Sequence, residues 1–375
     1  MNYTRTYAEI DLRAVGENIR SIRALLRPET RLLVAVKSDA YGHGAPAVSR
    51  YIERHSLADV LGVATPMEGM ELRQAGVTMP ILNMGLVVPD PHVASRIVEH
   101  DIAQTVADTG LAELLARCAA EKGKTARLHL KIDTGMGRIG CAPDEALGIA
   151  GRIAELEGAR LEGVFTHFPV SDDPSSDFTR RQIDIFQRAV NEIESRGIRV
   201  PVKHCANSAA LLLFPESHFD MVRPGILAYG YLPAPNCNGR IRLDRSMSLK
   251  SLIVFVKRVK GGTPLSYGHI YATLRDTNIA TVPVGYGDGY SRFLSNKGRV
   301  LIGGREYPVV GRVTMDQVMV DVGDDEFRPG EEVVVFGKEG VTVESLAAWM
   351  GTVPYEIICG ISKRIPRVYI NGDAP

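Results

Sequence analysis

Three observations predict an α/β fold, a (β/α)8 barrel over residues 1–237 followed by a mostly β domain over 238–375. Apolar runs of strand length recur eight times between about residues 30 and 230. Longer stretches with apolar residues at helical spacing fill the gaps. Past a turn-rich connector at 232–239, the chain changes to β-branched runs divided by Gly, Pro and Asp.

The eight runs are 32–36, 60–64, 80–83, 102–106, 127–132, 161–166, 201–205 and 219–222. Strict alternation of strand and helix calls for a parallel sheet with helical crossovers, and eight such units favour closure into a barrel over an open sheet. Segments 111–120 and 178–194 carry apolar residues at i, i+3, i+4 and i+7, the stripe of an outer-ring helix. Beyond the connector, 248–259, 279–284, 300–302, 307–310, 317–322 and 332–336 read as strands. One amphipathic helix near 343–350, holding the single tryptophan Trp349, interrupts them.

Composition narrows the function. With 375 residues, 45% apolar and 23% charged, the chain can bury a large core and needs no disulfide staple. Lys plus Arg and Asp plus Glu both number 44, so no net field attracts nucleic acid or anionic lipid. The five cysteines, Cys118, Cys141, Cys205, Cys237 and Cys359, are scattered without a CxxC pair, which fits a reducing cytosol. The first residues show no apolar leader, and no run approaches the ~20 residues of a membrane helix. A cytoplasmic protein without a membrane segment is the expectation.

In a barrel, chemistry lies on the loops after the strand C-termini. Lys37 directly follows the first run. A lysine at the mouth of an apolar strand loses hydration, which favours its neutral amine, a nucleophile toward aldehydes. Gly42 and Gly44 permit a sharp turn, and Pro46 suits a helix start. Spacing alone equally describes a surface lysine beside a flexible loop. His167, just after the sixth run, reads alone as a satisfied structural histidine, and Arg223 after the eighth as an ion-pair arginine. Asn207-Ser208 before the apolar 209–214 is a helix start whose free amides attract anions, or an ordinary cap. No HExxH, nucleophile elbow or EF-hand loop is present, and His43 has no neighbouring second ligand. No metal is expected.

The stretch AVKSDAYGHG (35–44) resembles the pyridoxal-phosphate signature of alanine racemases. Further motifs follow in that family's order: LKIDTGMGRIG (130–140), GVFTHF (163–168), HCANSAA (204–210), RPGILAYG (223–230), LSYGHIYAT (265–273), VGYGDGY (284–290), VGRVTMDQ (310–317), and VPYEI and SKRIPRVY within 353–369. The resemblance spans nearly the whole chain.

It implies that Lys37 anchors pyridoxal 5'-phosphate and acts as base on one face of the substrate Cα, with Tyr267 as the opposed base. A free tyrosine is only about 0.1% ionised at pH 7, so it needs help. His167 is its hydrogen-bond partner in the family. Arg223 corresponds to the arginine facing the pyridine nitrogen. A guanidinium donates hydrogen bonds but no proton there, which leaves the ring a weaker electron sink and favours racemisation over decarboxylation and transamination. By the same resemblance Tyr41, Ser208, the amides of Gly225 and Ile226, and Tyr355 hold the phosphate. Arg138 serves the cofactor's phenolic oxygen and the substrate carboxylate. Lys131 stands where many members carry a carbamylated lysine. Met315 and Asp316 form the substrate-carboxylate loop, and Tyr286 with Tyr355 the inner gate of the entrance. Tyr267 and Met315 reach the cofactor of the other subunit, which makes a homodimer the catalytic unit. Departures are Thr314 where Cys is frequent, Gly287 where Ala is common, and Pro169-Val170 after THF.

The implied function is interconversion of L-alanine and D-alanine by two-base proton transfer, supplying D-alanine for peptidoglycan. The alternatives are a racemase of broader or different specificity, such as serine or basic amino acids, and a non-catalytic pyridoxal-phosphate-binding barrel. The latter type lacks the region 240–375 and Tyr267. A decarboxylase of the same barrel is disfavoured by Arg223, where its pattern has an acidic residue.

Overall fold

The structure is a computed structural model that describes residues 5–372. The chain divides into two compact units. The first comprises Gly16–Ala40 and Ala45–Leu243. Its strands are Arg31–Ala35, Val60–Val63, Ile81–Asn83, Ile102–Val106, Ala126–Lys131, Ala159–Phe165, Val202–His204 and Met221–Val222. Each pairs in parallel with the next through Val202–His204, and Met221–Val222 pairs in parallel with the first. Amides of Asp220 and Arg223 donate to the carbonyls of Lys203 and Ala206 at 3.0 and 2.9 Å and close the circle. All eight runs read in the sequence are strands of this barrel.

The strands are mainly apolar because a parallel sheet is covered on both faces, while Ala126–Lys131, Ala159–Phe165 and Val202–His204 also carry charged or imidazole side chains. Leu33, Val60, Leu82, Ala103, Val202 and Met221, one from each of six strands, form one buried cluster. Each Val, Leu or Met side chain among them contributes roughly 1.5–3 kcal/mol by leaving water. Helices Thr109–Glu121 and Phe178–Ser195 match the two read from periodicity. Asp108 caps the first of them by accepting from the Leu111 amide at 2.9 Å.

The second unit contains the N-terminal segment up to Val15, Tyr41–Gly44 and the chain from Asp244. Its main sheet runs in the order Phe255–Val259, Thr277–Val282, Val318–Gly323, Arg305–Val310, Arg299–Ile302, Glu332–Phe336, Met247–Leu252, Tyr7–Asp11, Arg367–Ile370. Pairing is antiparallel except between Tyr7–Asp11 and Arg367–Ile370. Helix Val343–Met350 lies where the sequence puts it, with Thr342 as cap and Gly351 at φ 71° ending it.

Two boundaries differ from the sequence reading. The sequence predicts domains over 1–237 and 238–375, whereas the division falls between Leu243 and Asp244, and the N-terminal segment joins the β unit. The cause is Tyr7–Asp11, which completes the β sheet between Met247–Leu252 and Arg367–Ile370. The expected single strand 248–259 is two, because Ile253 and Val254 turn away to bond Glu331 and Thr281.

Candidate active site

Chemistry-bearing residues collect where the barrel strands end. Lys37 lies two residues past Arg31–Ala35, Lys131 ends the fifth strand, His167 follows the sixth, Ser208 follows the seventh, and Arg223 follows the eighth directly. This is the C-terminal face, where barrels place their catalytic groups.

Lys37 is held by an unusual backbone. Ser38, Asp39, Ala40 and Tyr41 all have φ near 54° and form a left-handed turn without a glycine. Such residues cost about 1–2 kcal/mol each, so the surroundings must enforce the turn. Glu68 does part of this. One carboxylate oxygen accepts from the Ser38 amide at 2.7 Å, and the other accepts from Ala64 at 2.7 Å and Thr65 at 3.2 Å. Asp39 accepts from the Ala45 amide at 2.8 Å. The amide directly after the lysine is thereby tied to the end of the neighbouring strand.

Arg223, 6% exposed, is fixed by neutral acceptors alone. Its Nη1 donates to His204 Nδ1 at 3.0 Å, and its Nη2 to the carbonyls of Thr166 and Cys205 at 2.8 and 3.0 Å and to His167 Nδ1 at 3.3 Å. Nε–H has no protein acceptor among the described residues. Burial lowers the guanidinium to about 10, so it stays charged at neutral pH. His167 is pushed well below its usual value by burial and then by the cations Arg223, Lys131, Arg138 and Lys37. It is neutral. Since its Nδ1 accepts from Arg223, its proton resides on Nε2, which is a donor.

Lys131 is only 2% exposed, with its ammonium 4.8 Å from the centre of the Phe165 ring. Burial, then Arg223 and Arg138, pull it down to about 7. After it the chain makes a loop closed by the Asp133 and Cys141 amides, which bond the Cys141 and Lys131 carbonyls at 2.9 and 3.0 Å. The Asp133 carboxylate accepts from Gly135 and Gly137 inside that loop, and exposed Arg138 follows.

Ser208, buried at the start of helix Ser208–Leu213, accepts the Gly225 amide at 2.9 Å, which leaves its own hydroxyl proton to donate. Asn207 caps that helix through the Ala210 amide. Ile226 opens the short helical turn Ile226–Tyr229.

The β unit carries the remaining predicted residues. Tyr41 packs 6.1 Å from Tyr355, ring centre to ring centre, and burial pushes its phenol up. A Cβ on Gly42 would collide with the Ile358 carbonyl and one on Gly44 with the Tyr369 hydroxyl, so both glycines of AYGHG serve close approach as well as their positive φ. Tyr267 follows Ser266, itself at φ 63°, and its carbonyl accepts from Arg312 Nε at 3.0 Å. Its side chain is 72% exposed in the single chain, and Met315 is 52% exposed.

The GYGDG and VTMDQ loops are bonded together. Amides of Tyr286 and Gly287 donate to the carbonyls of Thr314 and Met315 at 3.0 and 2.9 Å. Arg364 bridges Asp288 and Asp316, each at 2.8 Å, so Asp316 faces an arginine of its own unit. Gly287 has a local reason, because a Cβ there would lie 2.7 Å from Arg364 Nη2. The Thr314 hydroxyl donates to the Gln317 carbonyl at 2.7 Å and holds the turn. Three groups escaped the sequence reading: Glu68, His204 and Arg364. Only Glu68 leaves a local signal, the T-x-x-E capping box begun by Thr65.

A closed parallel barrel with cationic and imidazole side chains at its mouth, continued by an antiparallel β domain, defines a two-domain barrel enzyme. Family models for the alanine racemase N-terminal and C-terminal domains match residues 10–233 and 246–369. An alanine racemase of Desulforamulus reducens is 43% identical over 367 residues, 97% of this chain and 98% of that protein. The solved alanine racemase of Clostridium difficile 630 superposes with a TM-score of 0.94 at 38% identity, covering 99% of this chain and 96% of that one. One from Bacillus anthracis, solved with bound L-Ala-P, has a TM-score of 0.91 at 33% identity, with 99% and 96% covered. The chain belongs to the alanine racemase family.

Proposed function

We propose that this chain interconverts L-alanine and D-alanine with pyridoxal 5'-phosphate as cofactor, acts as a homodimer in the cytoplasm, and supplies D-alanine for peptidoglycan. The observation that carries the reading is Arg223: a buried guanidinium with only neutral acceptors and an Nε–H left over. That donor suits an unprotonated pyridine nitrogen and cannot transfer a proton to it. The donor set fits the rest of the cofactor. Ser208 offers a hydroxyl proton, Gly225 and Ile226 contribute backbone to the phosphate site, Tyr41 and Tyr355 offer phenols, and Lys37 offers an amine.

Bound to Lys37, pyridoxal phosphate would supply an electron sink that acidifies the Cα–H of an amino acid. Lys37 then takes or returns the proton on one face of Cα and Tyr267, from the partner chain, on the other. His167 donates its Nε2–H to the Tyr267 oxygen, which favours the phenolate and makes tyrosine a competent base. Arg138 and the Met315 amide orient the substrate carboxylate, Asp316 keeps that loop in place through Arg364, and Tyr286 with Tyr355 narrows the entrance. The homodimer rests on the family and on the exposure of Tyr267 and Met315 in the single chain, and the cytoplasmic location on the scattered cysteines. Among the described residues no helix is long and apolar enough to cross a membrane.

Chiral chromatography of L-alanine and L-serine, each incubated with protein and cofactor, tests the reading. Rapid appearance of D-alanine, with D-serine much slower, supports it. Equal rates would favour the broader-specificity racemase.

Lys131 is proposed to be carbamylated. Its neutral amine attacks carbon dioxide, forming an N–C bond and releasing a proton, and the resulting anion lies among cations. Chain loaded under 13C-bicarbonate should show a carbamate resonance that Lys131→Met lacks. Unmodified chain should also gain stability as pH rises from about 7 to about 10.5, because the unfolded chain then binds the proton that the folded chain has lost. Denaturant midpoints measured with and without bicarbonate separate the two forms, since a carbamate does not titrate in that window.

A further inference from the structure

Behind Arg223 a line of polar groups runs from strand to strand of the barrel, from His204 through His129 to Glu162. His204 Nδ1 accepts from Arg223 at 3.0 Å, and His204 Nε2 lies 2.9 Å from His129 Nδ1. His129 Nε2 lies 3.7 Å from a carboxylate oxygen of Glu162. Both histidines are buried.

The direction of this line follows from its first member. A guanidinium only donates, so His204 Nδ1 is unprotonated and a neutral His204 carries its proton on Nε2. That proton goes to His129 Nδ1, which leaves the His129 proton on Nε2, facing Glu162. Both tautomers are thereby determined, and the only carboxylate in the line stands at its far end.

The backbone is built to place it there. Leu128 pairs with Leu161 and His129 with Gly163, so Glu162 is the extra residue of a bulge. A bulge re-aims a side chain out of the regular alternation. Gly163 completes the arrangement, since a Cβ there would lie 2.5 Å from His129 Nδ1 and 2.7 Å from its Cε1. Arg127 and Arg160 also face Glu162, at 3.9 and 3.5 Å.

We infer that Glu162, acting through His129 and His204, is a remote positioning residue for Arg223: it orients both imidazoles so that the arginine's cofactor-facing geometry is fixed by a charge midway along the sixth strand. The inference rests on the reading of Arg223 as the arginine that faces the cofactor. Each hydrogen bond polarises the next in such a chain, and the outer partners of metal-bound histidines, a comparable arrangement, change activity by about 10- to 100-fold when removed.

The test uses 15N-histidine-labelled holoenzyme and two substitutions. In the unsubstituted protein, NMR should find both His129 and His204 protonated at Nε2 and bare at Nδ1. Glu162→Gln keeps an acceptor without charge and should lower kcat by a few-fold at nearly constant KM. Glu162→Leu should redistribute the His129 tautomers and lower kcat by about 10-fold or more. Gly163→Ala, which crowds His129 and also the Val202 carbonyl at 2.8 Å while keeping the Glu162 charge, should, in its folded form, act like Glu162→Leu. A purely structural role would lower thermal stability without moving tautomers or kcat. The inference is overturned by an Nδ1–H tautomer of His204 in the unsubstituted protein, or by a folded Glu162→Leu protein with unchanged kcat. Unsubstituted protein that shows both Nε2–H tautomers but does not racemise alanine would instead refute the functional reading and leave the order of the polar line standing.

Discussion

Tyr267→Phe should abolish racemisation in both directions, lowering kcat by about 10²- to 10⁴-fold, the usual contribution of a positioned base, while the cofactor stays bound. Inversion needs both faces of Cα, so losing either base stops it whichever enantiomer is supplied. Exchange of the α-proton needs only one face. The enantiomer that presents its Cα–H to Lys37 should therefore still exchange with deuterated solvent in this variant, and the other should not. Deuterium incorporation followed by mass spectrometry on each pure enantiomer reads this out. A Tyr267→Phe protein active in both directions would sink the two-base assignment. The substitution removes a phenol oxygen from a side chain 72% exposed in the single chain, so no loss of folding should confuse the result.

Lys37→Ala should lose both racemisation and the covalent cofactor link. Ser208, Gly225 and Ile226, the groups proposed to hold the phosphate, are untouched, so cofactor should still bind, more weakly and reversibly by dialysis. Hydride reduction followed by peptide mass analysis should find the cofactor mass on Lys37 in the unsubstituted chain and nowhere in the variant. Activity should fall by at least the 10²- to 10⁴-fold of a lost base. The left-handed turn 38–41 is held by Glu68 and Asp39 through backbone amides, so alanine at 37 leaves its supports in place.

The barrel was legible in the sequence because parallel strands covered on both faces read as mainly apolar runs, and each of the eight fell on a strand. Long amphipathic helices such as Phe178–Ser195 were legible through their period. The N-terminal strand Tyr7–Asp11 was not, because five residues mixing Tyr, Ala, Glu, Ile and Asp carry too little alternation, and its partners lie more than two hundred residues away. The break at Ile253 and Val254 was hidden by residues that themselves favour strands.

At the site, residue types and family order located Lys37, His167, Ser208 and Arg223 at one barrel face. The left-handed turn at Ser38–Tyr41 gave no signal, since none of its residues is a glycine. Glu68 was visible as a capping residue, but its bond to the Ser38 amide belongs to tertiary structure alone. His204 stood in a quoted motif without a role, because a histidine buried against an arginine is recognisable only when both are placed.

Two bases on opposite faces of Cα leave their mark on the fate of the α-proton during the first turnover. L-alanine and D-alanine, each fully protiated at Cα, are incubated briefly with holoenzyme in deuterium oxide, and the enantiomers are separated and weighed by mass spectrometry. Two opposed bases predict that the newly formed enantiomer carries solvent deuterium at Cα from the earliest times, in both directions. Protium carried over from substrate into the product enantiomer would show one base serving both faces and would contradict the assignment of Lys37 and Tyr267.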